Sequence, residues 1–227
     1  MNEGRAMVRR DANGVVEIDG SVGEGGGQML RSALGLSMVT GMPFRMVKIR
    51  AKRSKPGLLR QHATSVEAAR RVSNADVEGL ELGSQTLTFR PRAPKAGSYE
   101  LAIGTAGATM LVLHAILPGL LAADGESEVR LSGGTDAMAA PPVDHVVKVY
   151  VPWLRRMGVE AELVVERRGY YPAGGGRVVF RVRGGHLRPF DHLERGAHLG
   201  TRVVCRVAGS VPHLVADREL GAIGARL

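Results

Sequence analysis

The sequence has almost no thiol chemistry, few rings and no long apolar run. Cys205 is its one cysteine in 227 residues, so no disulfide can close within the chain. That usage points to a reducing compartment. Aromatic residues make up 4%, too few for a surface that grips single strands mainly by stacking bases on rings. The most apolar stretch, Met110 to Ala123, is interrupted by His114, Pro118 and Gly119 and is too short to cross a bilayer. Met1 to Asn13 carries Arg5, Arg9 and Arg10 without an apolar core, unlike a secretory leader. A cytoplasmic protein without a membrane partner is the expectation. Acid is also scarce: 22 acidic against 31 basic side chains leave a formal charge of +9. Beyond keeping the surface soluble, such an excess favours polyanionic partners such as nucleic acid or nucleotide. Hydrophobic residues at 44% and charged residues at 23% are ordinary for a globular chain long enough for a sizeable core.

The chain repeats itself. From Val15 the order reads strand (15–18), glycine loop, helix (28–40), strand (44–51), proline-led helix (57–72) and two short strands (77–82 and 86–89). Leu30, Leu34 and Met38 share one helical face, while Val47, Ile49 and Ala51 alternate with Lys48, Arg50 and Lys52. A second pass begins near Tyr99 with YELAIG, then a small-residue loop and helix (105–122) and the strand SEVRLSGGT. It continues with a proline-led helix ending at Gly158, and closes with strands 159–167 and 176–183 around GYYPAGGG. Pro56 corresponds to Pro142, and VEGLEL to VEAELV. That spacing is too long for a solenoid, so the expected fold is α/β with duplicated βαβαββ units. They would span 15–92 and 97–185 as one large domain, behind a flexible segment 1–14. After Gly185 the texture changes. Residues 186–227 read as the incomplete start of a smaller α/β domain, with a strand at 202–208 and a helix from about His213.

The glycine run Gly23–Gly27 sits between a strand and a helix, where phosphates are usually held, yet it contains Glu24. The dinucleotide fingerprint fails at Gln28, and the P-loop fails at Gly26 and Gly27, where Lys and Ser or Thr are required. A divalent ion bridging Glu24 to phosphate oxygens would reconcile acid with anion; a tight turn with Glu24 in water is the plain alternative. Arg31, one turn into the helix, could add a contact to the anion. Arg50, Lys52, Arg53, Lys55 and Arg60 cluster after the next strand, where α/β sheets place ligands, and this favours phosphate binding. His114, alone in an apolar stretch, fits a satisfied core position as readily as a contact to a ligand.

Five stretches, DGSVGEGGGQMLRSALGLSMVTG, IRAKRSKPGLLRQH, ELGSQTLTFRP, LSGGTDAMAAPP and GYYPAGGG, follow one another in order. Together they resemble the RNA 3'-terminal phosphate cyclase family over nearly all of residues 15–185. The resemblance implies three repeated α/β units with a smaller domain inserted before the third. It also implies an ATP-dependent ligase that turns an RNA 3'-phosphate into a 2',3'-cyclic phosphate through an adenylylated histidine and an adenylylated RNA end. By the same resemblance Glu24 holds Mg²⁺ or Mn²⁺ on the ATP phosphates, with Gln28 beside it. Arg31, Arg50 and Arg53 serve ATP or the RNA terminus, Gln61 and His62 line the site, and Pro141 packs against adenine. His114 stands where the family has a nucleotide-contacting glutamine, which bears on base preference.

Family members are longer, and their nucleophilic histidine lies in the third unit. None of the seven histidines here falls in that motif, so the nucleophile is expected beyond Leu227 and the chain is expected to be a fragment or a truncated reading frame. Self-association through the face left open by the absent unit is expected with it. The alternatives are a non-catalytic cyclase-like RNA-processing scaffold, which has no need of a metal-binding acid, and a dinucleotide enzyme, which the failed fingerprint disfavours.

Overall fold

The structure is a computed structural model and describes residues 8–12, 14–185 and 187–226, apart from the side chain of Val8. Residues 8–189 form one compact unit and residues 190–226 another.

In the first unit, β1 (Val8–Arg10) and β2 (Val16–Asp19) pair antiparallel. Residues 8–10, read from sequence as part of a flexible segment, thus form an edge strand. Helix α1 (Gly27–Thr40) crosses to β3 (Phe44–Val47), which lies parallel to β2. The strand expected to run to Ala51 stops at Val47, because Lys48 and Arg50 both take a left-handed φ of 53° and turn the chain. Phe44 and Met46 face the core, so Val47 lies on the opposite side. Helix α2 (Arg60–Ser73) begins after the Pro56-Gly57 turn, and β4 (Asp76–Glu78) and β5 (Leu87–Arg90) close a sheet of order β1-β2-β3-β5-β4.

The second pass builds β6 (Ser98–Ala102), α3 (Thr109–Ala122) and β7 (Glu126–Gly133). A helical run follows in three parts, α4 (Val143–His145), a wider π turn (Val146–Tyr150) and α5 (Val151–Arg156). The continuous helix expected here is broken. Pro152 has no N–H to donate and its ring crowds the carbonyl of residue 148, which a widened turn relieves. Strands β8 (Ala161–Arg167) and β9 (Gly176–Arg183) complete a sheet of order β6-β7-β9-β8. In both sheets the first two crossover-linked strands are parallel and the last two antiparallel, in the same spatial order. This is a mixed α/β fold.

Helices α1 and α2 pack on α3, and one hydrophobic cluster runs through both sheets. On the outer side of α1, Leu36 is 66% exposed and flanks an apolar groove with Val16, Ile18, Met29 and Met42. In residues 190–226 the only regular element among the described residues is α6 (His213–Gly224). The strand expected at 202–208 does not form, since none of the described residues offers it a ladder partner. No described helix is long and apolar enough to cross a membrane.

Phe89 on β5 is fully buried and stacks on Phe44 with ring centroids 5.7 Å apart. Phe89→Ala is expected to cost about 3–5 kcal/mol in urea unfolding. Leu36→Ala, on the exposed side of α1, should stay within about 0.5 kcal/mol.

Candidate functional site

Helix α1 begins with no cap. Gly26 precedes it without a side-chain hydrogen bond, and no acid occupies its first turn. Its leading amides therefore keep unmet donor capacity and the positive end of the helix dipole. His62 and Arg31 press onto this turn. A methyl group at Gly27 would overlap the His62 Nε2 and come within 3.0 Å of an Arg31 Nη, so only glycine admits both side chains. His62 is oriented by its own helix. The Leu59 N–H donates to His62 Nδ1 at 3.2 Å, which puts the neutral ring's proton on Nε2, toward α1.

Arg31 is buried, with 8% of its surface exposed. Its Nη2 donates to Gln28 Oε1 at 3.0 Å, while its buried Nε has no partner. Burial lowers the Arg31 pKa, and no acid counters that shift. The same positive field acts on neighbours. His62 falls to about 4 through burial, then Arg50, then Arg31. His114 is lowered by burial and by Arg31. The donors converge with only the neutral Gln28 amide oxygen among them and no carboxylate, the converse of a metal cage and the chemistry an anion requires.

A cavity of about 420 Å³ opens beside it. Gln28, Arg31, His114 and Pro141, four residues singled out in the sequence, line it together, with His145 and Tyr150. The last two escaped sequence reading. Their spacing after Pro141 was the available signal, but the broken helical run there hides which side faces inward. An apolar wall with a few polar groups suits a small organic ligand.

The remaining residues lie outside this lining. Glu24 is exposed on the glycine loop and is ion-paired with Arg53, and Lys52 Nζ donates to the Gly23 carbonyl at 3.3 Å. Arg50 is occupied as a brace, donating to the carbonyls of Lys55 and Gly57 at 2.5 and 2.9 Å. Gln61 Oε1 accepts from the Ala108 N–H at 2.8 Å and so serves the start of α3. At the end of β2, Asp19 is held well below the usual carboxylate range by the Ser21 hydroxyl, the Ser21 amide and Lys48. Among the described residues no three His, Cys, Asp or Glu groups cluster to hold a metal ion. A lone accessible carboxylate such as Glu24 fits Mg²⁺ carried on a polyphosphate, where one carboxylate and waters suffice, and not a resident ion.

The profile described as RNA 3'-terminal phosphate cyclase matches residues 22–223. Two proteins of that name are similar to this chain. That of Ectopseudomonas mendocina is 50% identical over 212 residues, covering 93% of this chain and 61% of its own length. That of Ralstonia nicotianae is 52% identical over 217 residues, covering 93% of this chain and 61% of its own length. This chain spans about three fifths of the length of these curated relatives. Among solved structures, the enolpyruvyl transferase NikO from Streptomyces tendae is similar over 70% of this chain and 29% of that one, at 12% identity. Its TM-score of 0.37 is too low to bear on fold or function.

The lowered His62 pKa makes stability depend on pH. Unfolded chains take up a proton near pH 6.5 that the folded ring refuses until about 4. Stability from this group is therefore complete above 6.5 and falls as pH drops toward 4. Between about pH 7.5 and about pH 5 the parent chain should lose about 2 kcal/mol more than His62→Gln, measured by urea unfolding. Equal losses would show that the buried imidazole does not set this dependence.

Proposed function

The chain belongs to the RNA 3'-terminal phosphate cyclase family, and on that footing we propose that it forms the nucleotide- and phosphate-binding part of an ATP-dependent ligase. The whole protein's reaction, in this reading, is conversion of an RNA 3'-phosphate to a 2',3'-cyclic phosphate. The observation that carries it is the meeting of Gln28, Arg31, His114 and Pro141, from separate stretches of sequence, around one cavity beside the uncapped start of α1.

The roles follow from the chemistry of each group. The cavity takes the adenine of ATP, with Pro141 and the apolar wall against its faces and the neutral His114 at its edge, able to donate or accept one hydrogen bond. Arg31, the His62 Nε2–H and the leading amides of α1 receive phosphate oxygens. Glu24, exposed and paired with Arg53, is the residue that would hold Mg²⁺ or Mn²⁺ accompanying ATP, and Arg53, released from that pair, would serve the RNA terminus. Such an ion would neutralise charge developing on the transferring phosphate. The Gln61 amide nitrogen remains available to the RNA end while its oxygen holds α3, and Arg50 shapes the loop that carries Arg53. No nucleophile is assigned among residues 1–227.

Titration calorimetry separates these roles. Arg31→Met should weaken ATP binding by about 10- to 100-fold, the worth of a charge-assisted hydrogen bond. Glu24→Gln should weaken binding of ATP with Mg²⁺ and leave binding in chelator unchanged. Unaltered affinity in Arg31→Met would place the nucleotide elsewhere.

A further inference from the structure

The outer face of the second sheet is an ionic lattice that fails at one end. Arg183 of β9 pairs with Glu126 and Glu160. One row along, Arg181 pairs with Glu128 at 2.8 Å and Glu162 at 3.2 Å. Arg130 then pairs with Glu128 at 2.7 Å and Glu166 at 3.5 Å. In the last row two arginines, Arg167 of β8 and Arg177 of β9, stand directly opposite each other. Neither forms an ion pair among the described residues; the one hydrogen bond recorded for their side chains there runs from Arg167 Nε to the Gly175 carbonyl at 2.6 Å. Like charges facing across strands are destabilising, so a sheet that elsewhere pairs its arginines tolerates a local cost here. Both line a recess of about 400 Å³ with Ser132, Gly175 and Glu166.

The hairpin rising from that row carries an exposed ring. Tyr171 is 86% exposed, yet the hairpin beneath it is pinned. The Gly169 N–H donates to the buried Thr135 hydroxyl at 3.0 Å, and the Gly169 carbonyl accepts from the Thr135 N–H at 2.9 Å. Gly174 turns with φ 72° against the 105–106 backbone, where a methyl would stand 2.7 Å from the Thr105 carbonyl oxygen. An exposed aromatic on a pinned hairpin whose two legs start from arginines without ion-pair partners suits an extended ligand with both flat apolar faces and negative charge. The hairpin also adjoins the proposed site. Gly174 rests on Ala106, two residues before Ala108, whose amide Gln61 holds.

We propose that Tyr171, Arg167 and Arg177 bind the single-stranded body of the RNA upstream of its 3' end. A base stacks on Tyr171, and backbone phosphates lie on the arginine pair. The choice of RNA over other polyanions rests on the function proposed above. One ring with two cations is compatible with a chain poor in aromatics, since phosphate contacts supply most of the affinity.

Fluorescence anisotropy with labelled single-stranded RNA of roughly twelve nucleotides bearing a 3'-phosphate tests this on the full chain. Tyr171→Ala should weaken binding by about 5- to 150-fold, the span of one base–aromatic stack, while Tyr171→Phe binds as the parent does. The double variant Arg167→Gln/Arg177→Gln should flatten the salt dependence by about 1.4 logarithmic units per decade, as two lost phosphate contacts require. Binding of cytidine 3'-phosphate alone should be unchanged in all three. Parent-like RNA affinity in both Tyr171→Ala and the double variant would overturn the proposal, as would loss of binding in Tyr171→Phe. If the variants weaken RNA ending in a 3'-hydroxyl to the same degree, the surface stands. The role given to the 3'-phosphate is then judged separately, by whether Arg53→Gln weakens the phosphate-ended RNA more than the hydroxyl-ended one.

Discussion

A buried guanidinium without a counter-ion organises this molecule. Arg31 sits inside the first turn of α1 with an unmet Nε and only a neutral amide as partner. Burying a charge in that way costs several kcal/mol unless something repays it. Much of the local design serves to keep it there. Gly27 leaves room, Gln28 turns its oxygen inward, and His62 stays neutral so that a second cation does not form beside the first. The uncapped helix start adds donors to the same point. The donors converge on one point, the arrangement that an anion would require.

The two sheets are tied together at this place. Gln61, on α2 of the first repeat, holds the amide that opens α3 of the second, and α3 brings His114 to the cavity wall. The cavity is thus lined from both repeats, which share one hydrophobic core. The ion pair between Glu24 and Arg53 lies on the exposed rim, where its own contribution to stability is small. It can open at little cost to the fold, as a shared role toward metal and RNA would require.

Sequence periodicity revealed most of the architecture because its signals were local. Alternation, paired prolines and glycine turns marked the strands and helices of both repeats. What stayed hidden depended on contacts between distant residues. The positive φ of Lys48 and Arg50 ended β3 early, although their residue types give no hint of it. Residues 202–208 have strand-like alternation, but a strand exists only with a partner. In the site, Gln28, Arg31, His114 and Pro141 were legible one by one. The fit of His62 against Gly27, and the use of Gln61 as a helix-end acceptor, were not, since both arise from packing across elements.

If the donors around Arg31 form an anion cradle, His62 reports on it directly. Its pKa is low partly because two arginines face it without compensation. An anion bound among them would supply the missing negative charge. Titrating the His62 ring by NMR with and without inorganic tripolyphosphate measures this. The His62 pKa should rise from about 4 toward its ordinary value when tripolyphosphate is present. An unchanged His62 titration at saturating tripolyphosphate would contradict it.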